Sequence, residues 1–316
     1  PPPNVTGKLH MGHALNNTLQ DVLIRFNRMK GLETLWQPGT DHAGIATQAI
    51  VEKNLKNDGL SKNVLGREKF IEKVWEWKEK SGGIILEQLK KLGCSCDWSR
   101  TRFTMDKDLS KAVIKVFVSL YKDKLIYKDK KLVNWDTQLQ TAISDLEVDQ
   151  REMQSQLYYI EYQIKNSEDK ITIATTRPET MMGDTAIAVN PKDDRYQKLI
   201  GSDVNIPLVN RTIKIIADNY ADPEQGSGAV KITPAHDFND YIVGKRNKLE
   251  IINILEKNGT INKNGIKELI GLDRFEARKI LIKNLKEKGH LIKIESIKNK
   301  VPYGDRSNSI IEPLLT

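Results

Sequence analysis

His10 and His13 stand three residues apart, with Gly12 between them, at the mouth of a predicted helix that runs to Met29. Pro1, Pro2 and Pro3 fix φ and keep the approach non-helical, and Gly7 punctuates the loop. Two imidazoles at a helix N-terminus face unpaired N–H groups, where a phosphate chain can sit. Gly12 removes a side chain, so a flat ring could lie against the backbone. No Gly-x-x-x-x-Gly-Lys-Ser/Thr loop occurs in the chain, so a nucleotide site here would use histidines and backbone. A bare His-x-Gly-His is equally compatible with two surface histidines at a helix start.

Three further groups carry chemistry. Asp41, in Pro38-Gly39-Thr40-Asp41-His42-Ala43-Gly44, reads either as an Asx-turn or helix cap before a helix over residues 43–56, or as the partner of a ligand ammonium. Two stretches, Thr175-Thr176-Arg177-Pro178-Glu179-Thr180 and Lys231-Ile232-Thr233-Pro234-Ala235-His236-Asp237-Phe238-Asn239-Asp240, each follow a strand-like run. On their own they read as Pro-containing turns with solvated charges. Cys94 and Cys96 give no disulfide framework, and a lone Cys-x-Cys lacks the second pair of a zinc knuckle.

Leu15, Leu19, Val22, Leu23, Phe26 and Met29 form one helical face, and Gly31 is a natural stop. Thr34-Leu35-Trp36 reads as a short strand broken by Pro38-Gly39. Strand, helix and strand make half of a βαβ unit, and ligands of open α/β sheets bind at the carboxyl ends of strands. The histidine pair and Asp41 could then face one pocket. Residues 66–92 are amphipathic, with Trp75 and Trp77 expected as core anchors and an interruption at Gly82-Gly83. A helix is expected over residues 109–121, and a hairpin over 125–135 with Lys128 to Lys131 as its turn. From about residue 155 the texture changes to short strands at close spacing, over 157–162, 171–174, 203–208, 213–217 and 229–232. A helix over 274–288 and a strand over 291–297 follow. The expected organisation is α/β: residues 1–152 as a parallel-sheet half-domain, 153–300 as a β-rich insertion, and 301–316 as a return segment.

The 316 residues allow two sizeable cores. No apolar run is long enough to span a membrane, and no signal peptide precedes the first motif. A net charge of +8 suits a polyanion partner, although Lys is abundant throughout. The chain does not begin with Met, and a fragment of a longer polypeptide is expected.

Pro1-Pro2-Pro3-Asn4-Val5-Thr6-Gly7 before the histidine pair, and Pro38 to Gln48 after it, closely resemble class I aminoacyl-tRNA synthetases, and within that class the valine-specific members. Gly39-Thr40-Asp41 stands where the isoleucine and leucine members tend to have Gly-Trp-Asp. The resemblance covers nearly the whole chain. It implies a Rossmann-like nucleotide-binding half-domain with an inserted, β-rich α+β, barrel-like editing domain. It implies ATP with Mg2+, L-valine and tRNA(Val) as partners, a cytoplasmic monomer, and no membrane. By matched positions, His10, Gly12 and His13 would be catalytic. Pro3, Asn4, Asp41 and His42 would bind the amino-acid substrate. In the insertion, Asp240 would hold the ammonium of a misacylated residue. Lys231, Thr233, Asp237 and Arg177 would recognise its hydroxyl, and Thr175 and Thr176 would lie near the terminal adenosine. Asp136 follows Trp135 where several relatives carry a zinc-binding cysteine, so no zinc is expected. The Lys-Met-Ser-Lys-Ser loop and anticodon-binding helices of the family are absent from these residues.

A second site has a physical reason. A hydrophobic pocket cannot strongly reject an isostere that gains a hydroxyl, and valine against threonine, at about a hundredfold, is the standing example of that limit. A cluster of Lys, Thr and Asp rewards the hydroxyl instead, and hydrolysis would use a positioned water. Two other classes compete. A different His-x-Gly-His nucleotidyltransferase would not need the second constellation. A non-catalytic tRNA-binding module would not need Asp41 or Asp240.

Overall fold

The structure, a computed structural model, describes residues 2–316; Pro1, first of the three prolines, lies outside them. The chain divides into two compact units, the first ending at Lys128 and the second running from Asp129 to Thr316.

The first unit contains α1 (Met11–Met29), β1 (Gly39–Thr40), α2 (Ile45–Asn57), α3 (Lys62–Leu65), α4 (Arg67–Lys91), β2 (Arg102–Phe103) and α5 (Lys107–Lys122). Its strands are parallel. Asn4 bridges Asp41, and β1 pairs β2. Asp41 N donates to Pro3 O at 2.8 Å and Val5 N to Asp41 O at 3.0 Å. Gly39 is required by this ladder, because a Cβ there would lie 2.6 Å from the Arg102 carbonyl oxygen. Val5, Ile85, Leu89, Cys94 and Phe103 form the core around the ladder.

Three expectations fail in or beside this unit. Residues 34–36 form no strand. Trp36 O accepts one bond, from Asp97 N at 2.9 Å, and the ladder begins only after Pro38. Helix α4 runs unbroken through Gly82-Gly83. Ser81 and Gly82 are both buried, and Ser81 donates to Gly7 O at 3.2 Å, so the small residues serve close packing of α4 rather than a break. Residues 125–131 are not a hairpin arm. The tryptophans also divide: Trp77 donates to Val5 O at 2.8 Å, whereas Trp75 is 44% exposed.

The second unit holds β3 (Leu132–Asp136), β4 (Thr141–Ile143), β5 (Val148–Ile164), β6 (Lys170–Thr175), β7 (Ala186–Val189), β8 (Asp203–Asn205), β9 (Thr212–Ala217), β10 (Ala229–Ile232), α6 (Phe238–Arg246), α7 (Arg274–Glu287), β11 (Leu291–Gly304) and β12 (Ile311–Leu315). Seven strands make one mixed sheet in the order β10-β7-β9-β8-β5-β11, with β6 also on β5. Strands β7 and β9 pair in parallel and the other pairs are antiparallel. Strand β10 packs against β6. Tyr162, Ile160, Ile173, Met181, Ile187, Ile215 and Leu281 belong to the main core, and a second cluster under α6 holds Ala186, Ile232 and Val243. Strands β5 and β11 extend beyond this core as a ribbon, in which Glu152 faces Lys300; the expected borders after residues 152 and 300 thus lie opposite one another. Strands β12, β3 and β4 form a separate three-stranded sheet.

Candidate functional site

At the start of α1 two imidazoles replace the usual Ser and Glu of a capping box. His10 Nδ1 accepts from Gly12 N at 3.1 Å, and His13 Nδ1 accepts from His10 N at 3.3 Å. Each neutral ring therefore carries its proton on Nε2, turned away from the helix. The ring centroids are 4.0 Å apart. Partial burial, and then the neighbouring His10, lower the His13 pKa. Gly12 has a local reason: a Cβ there would lie 3.0 Å from His10 Cε1. The loop before the helix is held to α4 by Leu9 N donating to Gln88 Oε1 at 2.9 Å.

Pro3, Asn4 and Asp41 are brought together by the parallel ladder. Asp41 Oδ1 accepts from Ala43 N at 2.7 Å, an Asx-turn, and Gly44 rather than Asp41 caps α2. Thr104 fixes His42, accepting from its backbone N at 2.9 Å and pairing with Nδ1 at 2.6 Å. A cavity of about 300 Å³ opens beside Pro3, Asn17, Trp36, Thr40 and Thr104. Asn4, His10, Gly12, His13, Asp41 and His42 do not line it, so the two motifs do not share this cavity.

The second constellation separates into an interior layer and a rim. Inside, Lys231 Nζ donates to Thr233 Oγ1 at 2.5 Å, Thr180 Oγ1 at 2.8 Å and Asp184 Oδ1 at 3.3 Å. Thr233 Oγ1 donates to Asp184 Oδ1 at 2.6 Å, and Tyr162 OH to Asp184 Oδ2 at 2.8 Å. Burial raises the Asp184 pKa, opposed by Lys231 and the two hydroxyls, and pushes Tyr162 well up. Asp240 is 5% exposed and accepts from Thr233 N at 2.9 Å. Burial, reinforced by Asp237 and Asp184, raises its pKa to about 7 against the pull of Lys231. Thr175 is buried, with Oγ1 accepting from Arg177 N at 3.1 Å.

The rim is a cavity of about 840 Å³ bordered by Thr176, Arg177, His236, Asp237, Arg278 and Glu312. Asp237 is the N-cap of α6, accepting from Asn239 N at 2.8 Å and Asp240 N at 3.1 Å. His236 Nε2 accepts from Ile254 N at 2.9 Å, and Nδ1 has no partner among the described residues. Burial, then Arg177 and Lys231, hold this imidazole neutral. Of the residues expected here, Thr176, Arg177 and Asp237 face the cavity, while Thr175, Lys231, Thr233 and Asp240 lie behind it.

Sequence reasoning missed Asp184, Tyr162, Glu179, Arg278 and Glu312. Glu179 and Thr180 sat inside a stretch already singled out, and a Glu followed by the apolar Met181-Met182 was the available signal. Nothing local marks Glu312 or Tyr162. Among the described residues no group of three His, Cys, Asp or Glu side chains could hold a metal ion, and no helix is long and apolar enough to cross a membrane.

A family model described as tRNA synthetases class I (I, L, M and V) matches residues 1–299. The chain is 73% identical, over its whole length and 36% of the relative's, to a protein of Pelagibacter ubique named valine–tRNA ligase. Proteins of the same name from Bradyrhizobium diazoefficiens and Legionella pneumophila are each 58% identical, again across the whole chain and over 35% and 34% of their own lengths. The chain thus spans about a third of the length of the curated relatives it matches. A crystal structure of a ternary complex of Agrobacterium radiobacter LeuRS with tRNA and LeuAMS aligns at a TM-score of 0.40 and 18% identity, covering 99% of this chain and 45% of that one; a likeness so distant carries no argument.

Proposed function

The chain belongs to the class I tRNA synthetases, and on that premise we propose that it carries the valine-activating and editing centres of a valine–tRNA ligase. The observation that carries this reading is the 73% identity, along all 316 residues, to a protein of that name. In the reaction, L-valine is joined to ATP with release of pyrophosphate, and the valyl group passes to tRNA(Val). His10 and His13, both with Nε2–H outward, donate to the phosphates as charge develops there. Gly12 keeps the His10 ring in that orientation. Asp41 binds the valine ammonium; one oxygen is held by Ala43 N, so the other has a fixed direction. Pro3 and Asn4 lie beside it on the ladder, and His42 is locked by Thr104. Mg2+ enters with the ATP phosphates, and no step is assigned to a protein-held metal. Asp136, where zinc-binding relatives differ, has Oδ1 engaged by Gln138 N and Leu139 N, each at 2.9 Å, which is turn chemistry.

Editing uses the second unit. Mischarged Thr-tRNA(Val) presents its ester at the 840 Å³ cavity. Thr176, Arg177 and Asp237 meet the substrate at the cavity; Asp240, which lies behind the cavity, takes the ammonium, Arg177, Asp237 and the Lys231–Thr233 pair favour a hydroxyl-bearing side chain, and Thr175 and Thr176 lie near the terminal adenosine. A positioned water attacks. The partners are tRNA(Val), L-valine and ATP, the protein is a cytoplasmic monomer, and residues 153–300 are the editing insertion. The test is ATP–pyrophosphate exchange by the full-length polypeptide across a panel of amino acids. Valine should support the fastest exchange; faster exchange with isoleucine or leucine overturns the assignment.

A further inference from the structure

Arg177 is held on three sides. Its NH1 donates to His236 O at 3.0 Å, Nε reaches Glu179 Oε1 at 3.4 Å, and NH2 pairs with Glu312. The two carboxylates differ. Glu179 already accepts two short bonds from Arg278, at 2.6 and 2.7 Å, and its contact to Arg177 is long. Glu312 turns one oxygen to Arg177 and the other to Arg274 Nε at 2.7 Å. A bidentate fork is the stronger claim on a carboxylate, so Glu179 has little left to direct Arg177, and Glu312 sets where the guanidinium points.

Glu312 comes from outside the seven-stranded sheet. It lies on β12, opposite Trp135 of β3, and Trp135 Nε1 donates to Lys257 O at 2.7 Å. Arg274 NH2 also reaches Ile310 O at 3.3 Å. The strand that carries Glu312 is therefore fastened on both flanks, and Glu312 itself is 4% exposed at the cavity border. We propose that Glu312 is a positioning residue of the hydrolytic cavity, acting through Arg177 and tying the cavity's polar edge to the three-stranded sheet. The inference rests on the editing reading above.

The test is deacylation of Thr-tRNA(Val) at saturating tRNA by the full-length polypeptide. Glu312→Gln should lower kcat at least tenfold, since misplacement of a reacting group by about 1 Å can cost about a hundredfold, with KM within a few-fold and valine-dependent pyrophosphate exchange unchanged. Glu312→Asp keeps the charge between the two arginines but withdraws it by a methylene, and should lose several-fold. Arg274→Gln loosens the same ion cluster from behind but leaves Glu312 its pairing with Arg177, so it should lose clearly less deacylation than Glu312→Gln. In an Arg177→Gln background, Glu312→Gln should add almost nothing, because both changes act through one guanidinium. Wild-type rates in the two Glu312 variants, multiplying effects in the double variant, or an Arg274→Gln loss equal to that of Glu312→Gln each overturn the proposal. Absence of deacylation in the wild type itself would remove the editing reading and this inference with it.

Discussion

In the first unit the candidate groups stand at element ends and in the open. His10 and His42 are exposed, Asp41 is half-buried, and α1 buries none of its residues. His10, His13 and Asp41 are aimed by backbone two or three residues away; His42 alone among these four is held from a distance, by the Thr104 hydroxyl. In the second unit the groups are interior, and they are aimed by side chains distant in sequence: Tyr162 to Asp184, Thr180 to Lys231, Glu312 to Arg177. Locally aimed groups can be altered with little effect beyond their chemistry. Groups wired into a core cannot, because removing one partner leaves another buried and unpaired.

The sharpest way to break this contrast is Lys231→Met. It strips Asp184 of the one cation within salt-bridge distance among the described residues while keeping an apolar chain of similar length. Breaking a buried ion pair on one side costs roughly 3–5 kcal/mol, so the urea midpoint of the 316-residue chain should fall steeply. A change of less than about 1 kcal/mol would mean that Asp184 simply takes up a proton and that the interior layer is not wired as described. His13→Ala should behave oppositely. Its ring packs against little, so stability should hardly move, yet valine-dependent pyrophosphate exchange should fall by about 10²–10³, the usual loss for one transition-state donor. Exchange within a few-fold of wild type would reduce the pair to a helix cap.

The same contrast explains what the sequence could disclose. Helices α1, α5 and α7 were legible because their apolar spacing is periodic, and β6, β9 and β10 because short apolar runs ended at turn residues. His10, Gly12 and His13 were legible as a unit, since the capping geometry lies within four residues. The strand expected at 34–36 failed because periodicity cannot reveal whether a ladder partner exists, and Gly39, taken as a breaker, is the residue that lets β1 approach β2. Gly82 failed for the reverse reason: a helix-weakening residue is tolerated where it permits close packing. Lys231 and Thr233 stood out as polar groups after an apolar run, but their place behind the cavity depends on Asp184 and Tyr162, at 47 residues and more in sequence from Lys231. No local pattern encodes that distance.

Asp240 offers a pH test in which stability and activity should move in opposite directions. Its folded pKa is about 7, above the ordinary carboxylate value of about 4. Below about pH 4 both folded and unfolded chains hold the proton. Between about 4 and about 7 the folded chain holds it and the unfolded chain does not, so stability falls as pH rises through that window. If Asp240 takes the substrate ammonium as proposed, deacylation of Thr-tRNA(Val) needs its carboxylate, and kcat/KM in the full-length polypeptide should rise about tenfold per pH unit below 7 and level off above. Asp240→Asn should remove the sloping stability and most of the activity. A flat rate profile from pH 5 to 8 in the wild type would show that another group meets the ammonium.

The smallest effect is expected at Asp237, where the two kinds of aiming meet in one residue. Its carboxylate caps α6 through two backbone N–H groups, as His10 caps α1, yet it also faces the cavity. Asp237→Ala removes both functions. Loss of the cap costs roughly 1 kcal/mol, and because Asp240 lies in the first turn of that helix, its carboxylate is loosened too. Asp237→Ser separates them, since a serine hydroxyl caps nearly as well but carries no charge. If Asp237 recognises the substrate hydroxyl, Asp237→Ser should keep the urea midpoint and still narrow the ratio of Thr-tRNA(Val) to Val-tRNA(Val) hydrolysis by several-fold, with little change in the slower valine reaction. If it is only a cap, Asp237→Ser should match wild type in both midpoint and ratio, while Asp237→Ala lowers both hydrolysis rates together. Deacylation time courses on the two charged tRNAs, read beside the midpoints of the same proteins, distinguish these outcomes.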